Sequence, residues 1–206
     1  MAGFAAWDPK ASSYEALFRT IKASGAQAVF LGGLIDENGG QVIKDKVAVL
    51  GPNAATPDEG VVLLVPDGFT TQATIDEAGR AARGLFATVA GVPADQLTGA
   101  GKEFVDSFAA ETGAEPPLEP YTAYAAQAAE VLLDAIERAG TDRAAIVEAM
   151  LAFSTTDGII APEFEIDENG DPTVGPVTVY VAGETFDTHE VVTPEADLVT
   201  AAKGGA

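Results

Sequence analysis

The chain has 206 residues, 47% of them hydrophobic, and a formal net charge of −21 from 32 acidic against 11 basic residues. That is enough apolar material for the core of one domain or two small lobes, and it argues against wholesale disorder. The acidic field repels phosphate backbones and anionic membranes, so nucleic acid is not expected as a partner, and the lack of Cys excludes disulfides, thiolate metal sites and thiol nucleophiles.

In chain order, the first short apolar run, Phe4–Trp7, reads as a strand closed by Asp8-Pro9. Ser12 and Glu15 have capping-box spacing, which predicts a helix whose apolar stripe is Tyr14, Leu17, Phe18 and Ile21. Ser24-Gly25 ends it, and Ala28–Gly33 is the next strand. A helix from about Gly39-Gly40 to Leu50 follows, with Val42, Ile43, Val47 and Leu50 inward, stopped by Gly51-Pro52-Asn53. Val61–Pro66 is a third strand, Thr71–Arg83 a helix stopped by Gly84, and Leu85–Ala90 a fourth strand. Short apolar strands alternating with amphipathic helices predict an α/β fold with a Rossmann-like parallel sheet covered on both faces. Such sheets present ligand-facing residues at the carboxyl ends of their strands. Two tips stand out: Leu31-Gly32-Gly33-Leu34 and Val65-Pro66-Asp67-Gly68-Phe69.

After Val92-Pro93 the character changes to helices, at about Gly99–Thr112, Tyr121–Ala139 and Asp142–Phe153. Pro116-Pro117 and Pro120 separate the first two, and Thr141 is placed to cap the third. Ala128, Val131, Leu132, Ala135 and Ile136 form a face that needs cover, yet this block brings almost no strand of its own. A β-rich stretch closes the chain: Ile159–Ile166, a turn at Asp167-Glu168-Asn169-Gly170-Asp171, and Val177–Ala182, before a frayed end.

Nothing in this pattern marks an enzyme. There is no phosphate loop, no Gly-x-Gly-x-x-Gly, no Gly-x-Ser-x-Gly elbow, and no cofactor is implied. His189 has no Cys or second His with which to hold a metal. Glu165, Asp167, Asn169 and Gly170 imitate the start of a calcium loop, but Pro176 occupies the twelfth position and strands flank it, so the turn reads as structural. The apolar runs reach only about half a dozen residues, against the roughly 20 needed to span a bilayer. Met1 to Asp8 lacks the basic start of an export signal.

Five segments in colinear order resemble the C-terminal half of a leucine-binding-type periplasmic (type I) substrate-binding protein, the receptor component of branched-chain amino-acid ABC transporters. They are Trp7–Tyr14, Ile21–Gly33, Ala78–Phe86, Tyr121–Gln127 and Phe164–Asp171. The resemblance implies two Rossmann-like lobes linked by three crossings. Residues 1–90 would be most of lobe two, 91–172 a helix-rich returning part of lobe one, 173–192 a strand returning to lobe two, and 193–206 a frayed tail. The first half of lobe one, the opening unit of lobe two and the export signal would then be missing, so a truncated member is expected. It would be periplasmic or at the cell surface, with a membrane permease as partner.

By the same resemblance, Asp67 meets the α-ammonium of an amino-acid ligand when the lobes close, a charge-assisted bond, with Gly68 beside it. Gly33 lets backbone approach the ligand. Leu34 and Ile35 stand where relatives often carry an aromatic. Asp36, Glu37 and Asn38 read as a solvated loop, Trp7 as a possible cleft residue, and Tyr14, Tyr121 and Tyr124 as packing. The groups that hold the α-carboxylate would lie in the absent half. The alternative is a ligand-sensing domain of a receptor or regulator with this fold, which needs an attached effector that the chain does not show.

Overall fold

The computed structural model describes residues 1–115, 118, 121–173, 175–195 and 198. The expected Pro116-Pro117 and Pro120 breaks and most of the expected frayed tail lie outside them. The chain forms two compact units. The first is Met1–Val89 with Thr178–Val191, and the second Ala90–Val177 with Val192–Ala206, within the described residues.

The first unit is built on a sheet of β1 (Ala28–Phe30), β2 (Val62–Val65), β3 (Phe86–Ala90), β6 (Val177–Ala182) and β7 (Phe186–Val192), in spatial order β1-β2-β3-β6-β7. β1 runs parallel to β2, with Val29 opposite Leu63, and β2 parallel to β3, with Leu64 opposite Phe86. The three-residue turn between β6 and β7 forces an antiparallel hairpin. The sheet is therefore mixed, with a hairpin added beyond the parallel strands. β7 was not foreseen, because Asp187-Thr188-His189-Glu190 reads as an acidic tail. Its residues are mostly exposed, as suits a sheet edge, and His189 rests against Phe86 with ring centroids 5.2 Å apart.

Helices α1 (Glu15–Ala23), α2 (Gly40–Leu50) and α3 (Gln72–Ala78) accompany this sheet, with α1 packed on α2 and α2 on α3. Phe18, Val42, Ile43, Leu63, Val65, Phe69, Leu85 and Ala87 make the centre of the core, each at most 1% exposed. Three local expectations need correction. Phe4–Trp7 is no strand: the segment is mostly exposed, Phe4 at 90%, since Ala5 and Ala6 bring little apolar area to hold it on an edge. The Ser12–Glu15 capping box does not form. Instead the buried Asp45 of α2 accepts from Tyr14 N at 2.5 Å and from Ser13 Oγ at 3.1 Å, a cap supplied from a neighbouring helix. The helix at 71–83 stops at Ala78, because Gly79 takes φ 59°, and a short tight turn, Gly79–Ala82, completes the path.

Lys46 carried no expectation. It lies inside, fully buried, although the helical stripe assigns no lysine there. Its Nζ donates to Val61 O at 2.8 Å and Asn53 Oδ1 at 2.9 Å, with longer contacts to Gly51 O and Pro52 O. Asn53 Nδ2 passes the tie on to Ala81 O and Arg83 O, so one polar knot joins the end of α2, the following loop and the approach to β3.

The second unit holds α4 (Ala100–Thr112), α5 (Tyr121–Ala139), α6 (Arg143–Leu151) and a two-stranded antiparallel ribbon, β4 (Ser154–Thr155) with β5 (Phe164–Glu165). Its cap is Asp142 and not Thr141: the Asp142 carboxylate accepts from Ala144 N and Ala145 N. The strand expected at 159–166 shrinks to β5 because a helix side chain takes its first amides. Gln127 Oε1 accepts from Ile159 N at 2.6 Å and Ile160 N at 3.4 Å. Val131 and Ala135 are buried as expected, Val131 in a core with Leu97, Phe153, Ile159 and Phe164. Leu132 and Ile136 are not; with Leu133, Val147 and Leu151 they stay 39–65% exposed. The turn at 167–171 is structural, its Asp167 Oδ1 accepting from Asn169 N and Asp171 N.

Candidate functional site

Parallel pairing brings the carboxyl ends of β1 and β2 side by side in the first unit, and the candidate residues sit on those ends. Leu34 follows β1 and is 50% exposed. Asp67 and Gly68 follow β2 in a tight turn, Asp67–Phe69, with Thr70 N donating to Asp67 O at 2.8 Å. Asp67 is exposed. The two tips touch: a Cβ added at Gly68 would stand 2.3 Å from Leu34 Cδ2 and 3.3 Å from Gly33 O. A side chain at 68 would have to displace Leu34, which lies against the glycine.

Gly33 is also closed in. A Cβ there would stand 2.4 Å from Cη2 of Trp7, so the indole covers the glycine. Trp7 Nε1 in turn donates to Glu37 O at 3.0 Å. Ile35 does not share the exposed surface: at 5% exposure its side chain belongs to the core, and its part in the tip is to anchor it. The loop beyond is less solvated than its composition implies. Asn38 adopts φ 65° and donates through Nδ2 to Ala11 O and Tyr14 Oη, both at 2.9 Å, and Tyr14 Oη donates to Asp8 O at 2.7 Å. Sequence reasoning missed this role of Asn38. Its only signal is an Asn beside Gly39, a residue type that tolerates the left-handed region.

The surface assembled here is an aliphatic side chain and a carboxylate on adjacent strand tips, with glycines keeping the backbone close. It can offer apolar contact and an anionic acceptor, and it holds no nucleophile with a base beside it. Among the described residues no group of three or more His, Cys, Asp or Glu is arranged to hold a metal, and no helix is long and apolar enough to cross a membrane.

A cavity of about 950 Å³ lies elsewhere, within the second unit, lined by Leu97, Tyr124, Ile159, Ile160, Asp167 and Asp171 among others. It contains none of the five candidate residues. Binding sites need a few polar groups converging on an apolar pocket, and here Asp167 Oδ1 is committed to its turn. Burial pushes the Tyr124 phenol up, against a backbone hydrogen bond with Val92. The strand tips of the first unit carry the more specific chemistry.

Solved structures with the same architecture are binding proteins. A leucine-binding protein from Thermotoga maritima is 25% identical over 90% of this chain and 50% of its own, with a TM-score of 0.71. The branched-chain amino-acid transporter substrate-binding protein of Streptococcus pneumoniae, solved with isoleucine, is 16% identical over 93% of this chain and 51% of its own, at 0.66. An ABC-transporter solute-binding protein from R. palustris, solved with benzoate, is 20% identical over 90% and 48%, at 0.60. The last two likenesses are of fold alone. This chain spans about half the length of each of the three. No curated protein sequence matches it. The model of the family described as periplasmic binding protein matches residues 2–185, nearly the whole chain. On that match, the chain belongs to the periplasmic binding protein family.

Proposed function

We propose that this chain is part of the substrate-binding component of an ABC transporter and that it contributes one face of a site for a branched-chain or similar amino acid. The observation that carries the reading is the contact of the two strand tips, which sets the exposed Leu34 against Gly68 beside the exposed Asp67. A ligand with an ammonium group and an aliphatic side chain matches that pair. Asp67 would accept from the ammonium and Leu34 would pack on the side chain, where burial of apolar area contributes about 25 cal/mol per Å². Benzoate, which the R. palustris protein holds, brings a carboxylate and no ammonium, so it would meet Asp67 with like charge.

In this reading the first unit is most of lobe two and the second unit a returning part of lobe one. The family match and the half-length coverage of the solved structures support it. The rest of lobe one, with the groups for the α-carboxylate, would come from polypeptide beyond this chain. Hinge closure of two lobes would complete the site, in the periplasm and in company with a membrane permease.

Leucine titrated into the chain and followed by amide chemical shifts tests the proposal. A half-site predicts a dissociation constant in roughly the millimolar range or weaker. Shifts should centre on Gly33, Leu34, Asp67 and Gly68, and Asp67→Asn should weaken them. Micromolar binding of leucine, isoleucine or valine would refute the half-site. A response to benzoate that exceeds the response to leucine would refute the amino-acid assignment.

A further inference from the structure

We propose that Trp7 and Asn38 are positioning residues that hold the ligand-facing tip at 33–38 in one conformation, and that the segment 7–14 acts as its brace. The inference rests on the reading of Gly33, Leu34, Asp67 and Gly68 as a ligand surface. β1 is three residues long and lies at the sheet edge, so the chain beyond Phe30 has a sheet neighbour on one side only. A tip in that position is held by whatever else grips it.

Beside the buried Ile35, three contacts do so, and these three all involve the segment 7–14. The Trp7 indole covers Gly33 where a side chain would otherwise stand. Trp7 Nε1 donates to Glu37 O at 3.0 Å, four residues further along the turn. The Asn38 amide donates to Ala11 O and Tyr14 Oη, each at 2.9 Å, from the left-handed region that an Asn tolerates better than most side chains. Tyr14 completes the link: it is 4% exposed, begins the turn into α1, and its hydroxyl donates to Asp8 O at 2.7 Å. Ring, carbonyl and amide grip the tip at residues 33, 37 and 38, on either side of Leu34. None of these groups needs to touch a ligand to act. They act by keeping Leu34 seated against Gly68, so that little ordering remains to be done on binding.

Two variants separate bracing from folding. Trp7→Phe removes the indole donor and the outer ring edge that lies on Gly33. Asn38→Gly keeps the left-handed backbone and removes both amide bonds. Amide exchange in the intact chain should accelerate roughly tenfold across 32–38 in each variant. Exchange at Leu63, Val65 and Ala87 and the melting temperature should hold near the parent's. Trp7 is the only tryptophan, so acrylamide should quench its emission more strongly in Asn38→Gly. The leucine-induced shifts at Leu34 and Gly68 should weaken roughly threefold at unchanged melting temperature. Exchange at 32–38 that stays at the parent's rate, or that rises equally throughout the unit, overturns the brace. Faster local exchange with an unaltered leucine response overturns the positioning role. A parent chain that ignores leucine refutes the ligand reading instead, and the exchange result still decides the brace.

Discussion

Replacing Lys46 with Met tests the polar knot that closes the loop after α2. Met preserves the length and packing of the stem and removes only the ammonium. Two of its hydrogen bonds are short, 2.8 Å to Val61 O and 2.9 Å to Asn53 Oδ1. Bonds from a charged donor contribute about 1.5–3 kcal/mol each, so the pair is worth roughly 3–6 kcal/mol before the cost of burial. Burial pushes the ammonium from 10.5 down to about 8, a preference for the neutral form of about 3 kcal/mol at about 1.4 kcal/mol per pH unit. The two effects act on one group and largely offset. The variant escapes the burial cost but takes the donor from the four oxygens that Nζ meets, and its expected loss at pH 7 is about 1–3 kcal/mol. The pH dependence has a definite sign. Between pH 8 and 10.5 the folded chain has released the Lys46 proton and the unfolded chain still holds it. The unfolded state then binds more protons, so stability rises with pH, fully gained above 10.5 and lost as pH falls to 8. Urea unfolding of parent and variant from pH 7 to 10 reads both effects. The parent's advantage should widen above pH 8; a constant difference would refute the lowered ammonium, and a variant as stable as the parent at pH 7 would refute the knot.

Gly101→Ala should lower stability by about 1–3 kcal/mol despite alanine's better helix propensity, because a Cβ there would stand 2.1 Å from Ile159 O and push α4 off the backbone it packs on; a more stable variant in thermal unfolding would contradict that packing. Thr74→Val should gain about 1 kcal/mol, since Thr74 Oγ1 is buried without a hydrogen-bond partner, and a loss in the same assay would mean that the hydroxyl has one. Raising NaCl from about 0.1 to 1 M should raise the melting temperature by several degrees. A net charge of −21 repels itself, and the ion pairs among the described residues have side chains 42–93% exposed, so screening sacrifices little attraction. A melting temperature that falls with salt would show those pairs to matter more than the net field.

The architecture was legible because it depends on patterns that survive without tertiary information. Short apolar runs located β2, β3 and β6 within a residue or two, and the helical reading located α5 at Tyr121–Ala139. Glycine and proline punctuation located the two tips, and adjacent parallel strands bring such tips together by geometry. Hence Asp67, Gly68, Gly33 and Leu34 could be placed on adjacent tips from their order, and the resemblance supplied both their expected role and a family that the matching family model bears out.

What the chain order could not decide depends on partners distant in sequence. Capping residues were misassigned at α1 because Asp45, 31 residues away from Tyr14, supplies the acceptor. Phe4–Trp7 has the composition of a strand, but a strand exists only where an edge pairs with it, and here Trp7 spends its ring on Gly33. Ile35 has the same local pattern as Leu34, and only packing sends one to the core and leaves the other half-exposed. Nothing in the local sequence marks Lys46 as buried; the carbonyls of Gly51, Pro52 and Val61 converge on it only in the fold. The sequence by itself therefore determined the order, type and apolar faces of the elements, since those follow from local periodicity. Only the tertiary structure decided which polar groups are spent on holding the tips in place, because a hydrogen bond between residues some thirty positions apart leaves no periodic trace in the chain.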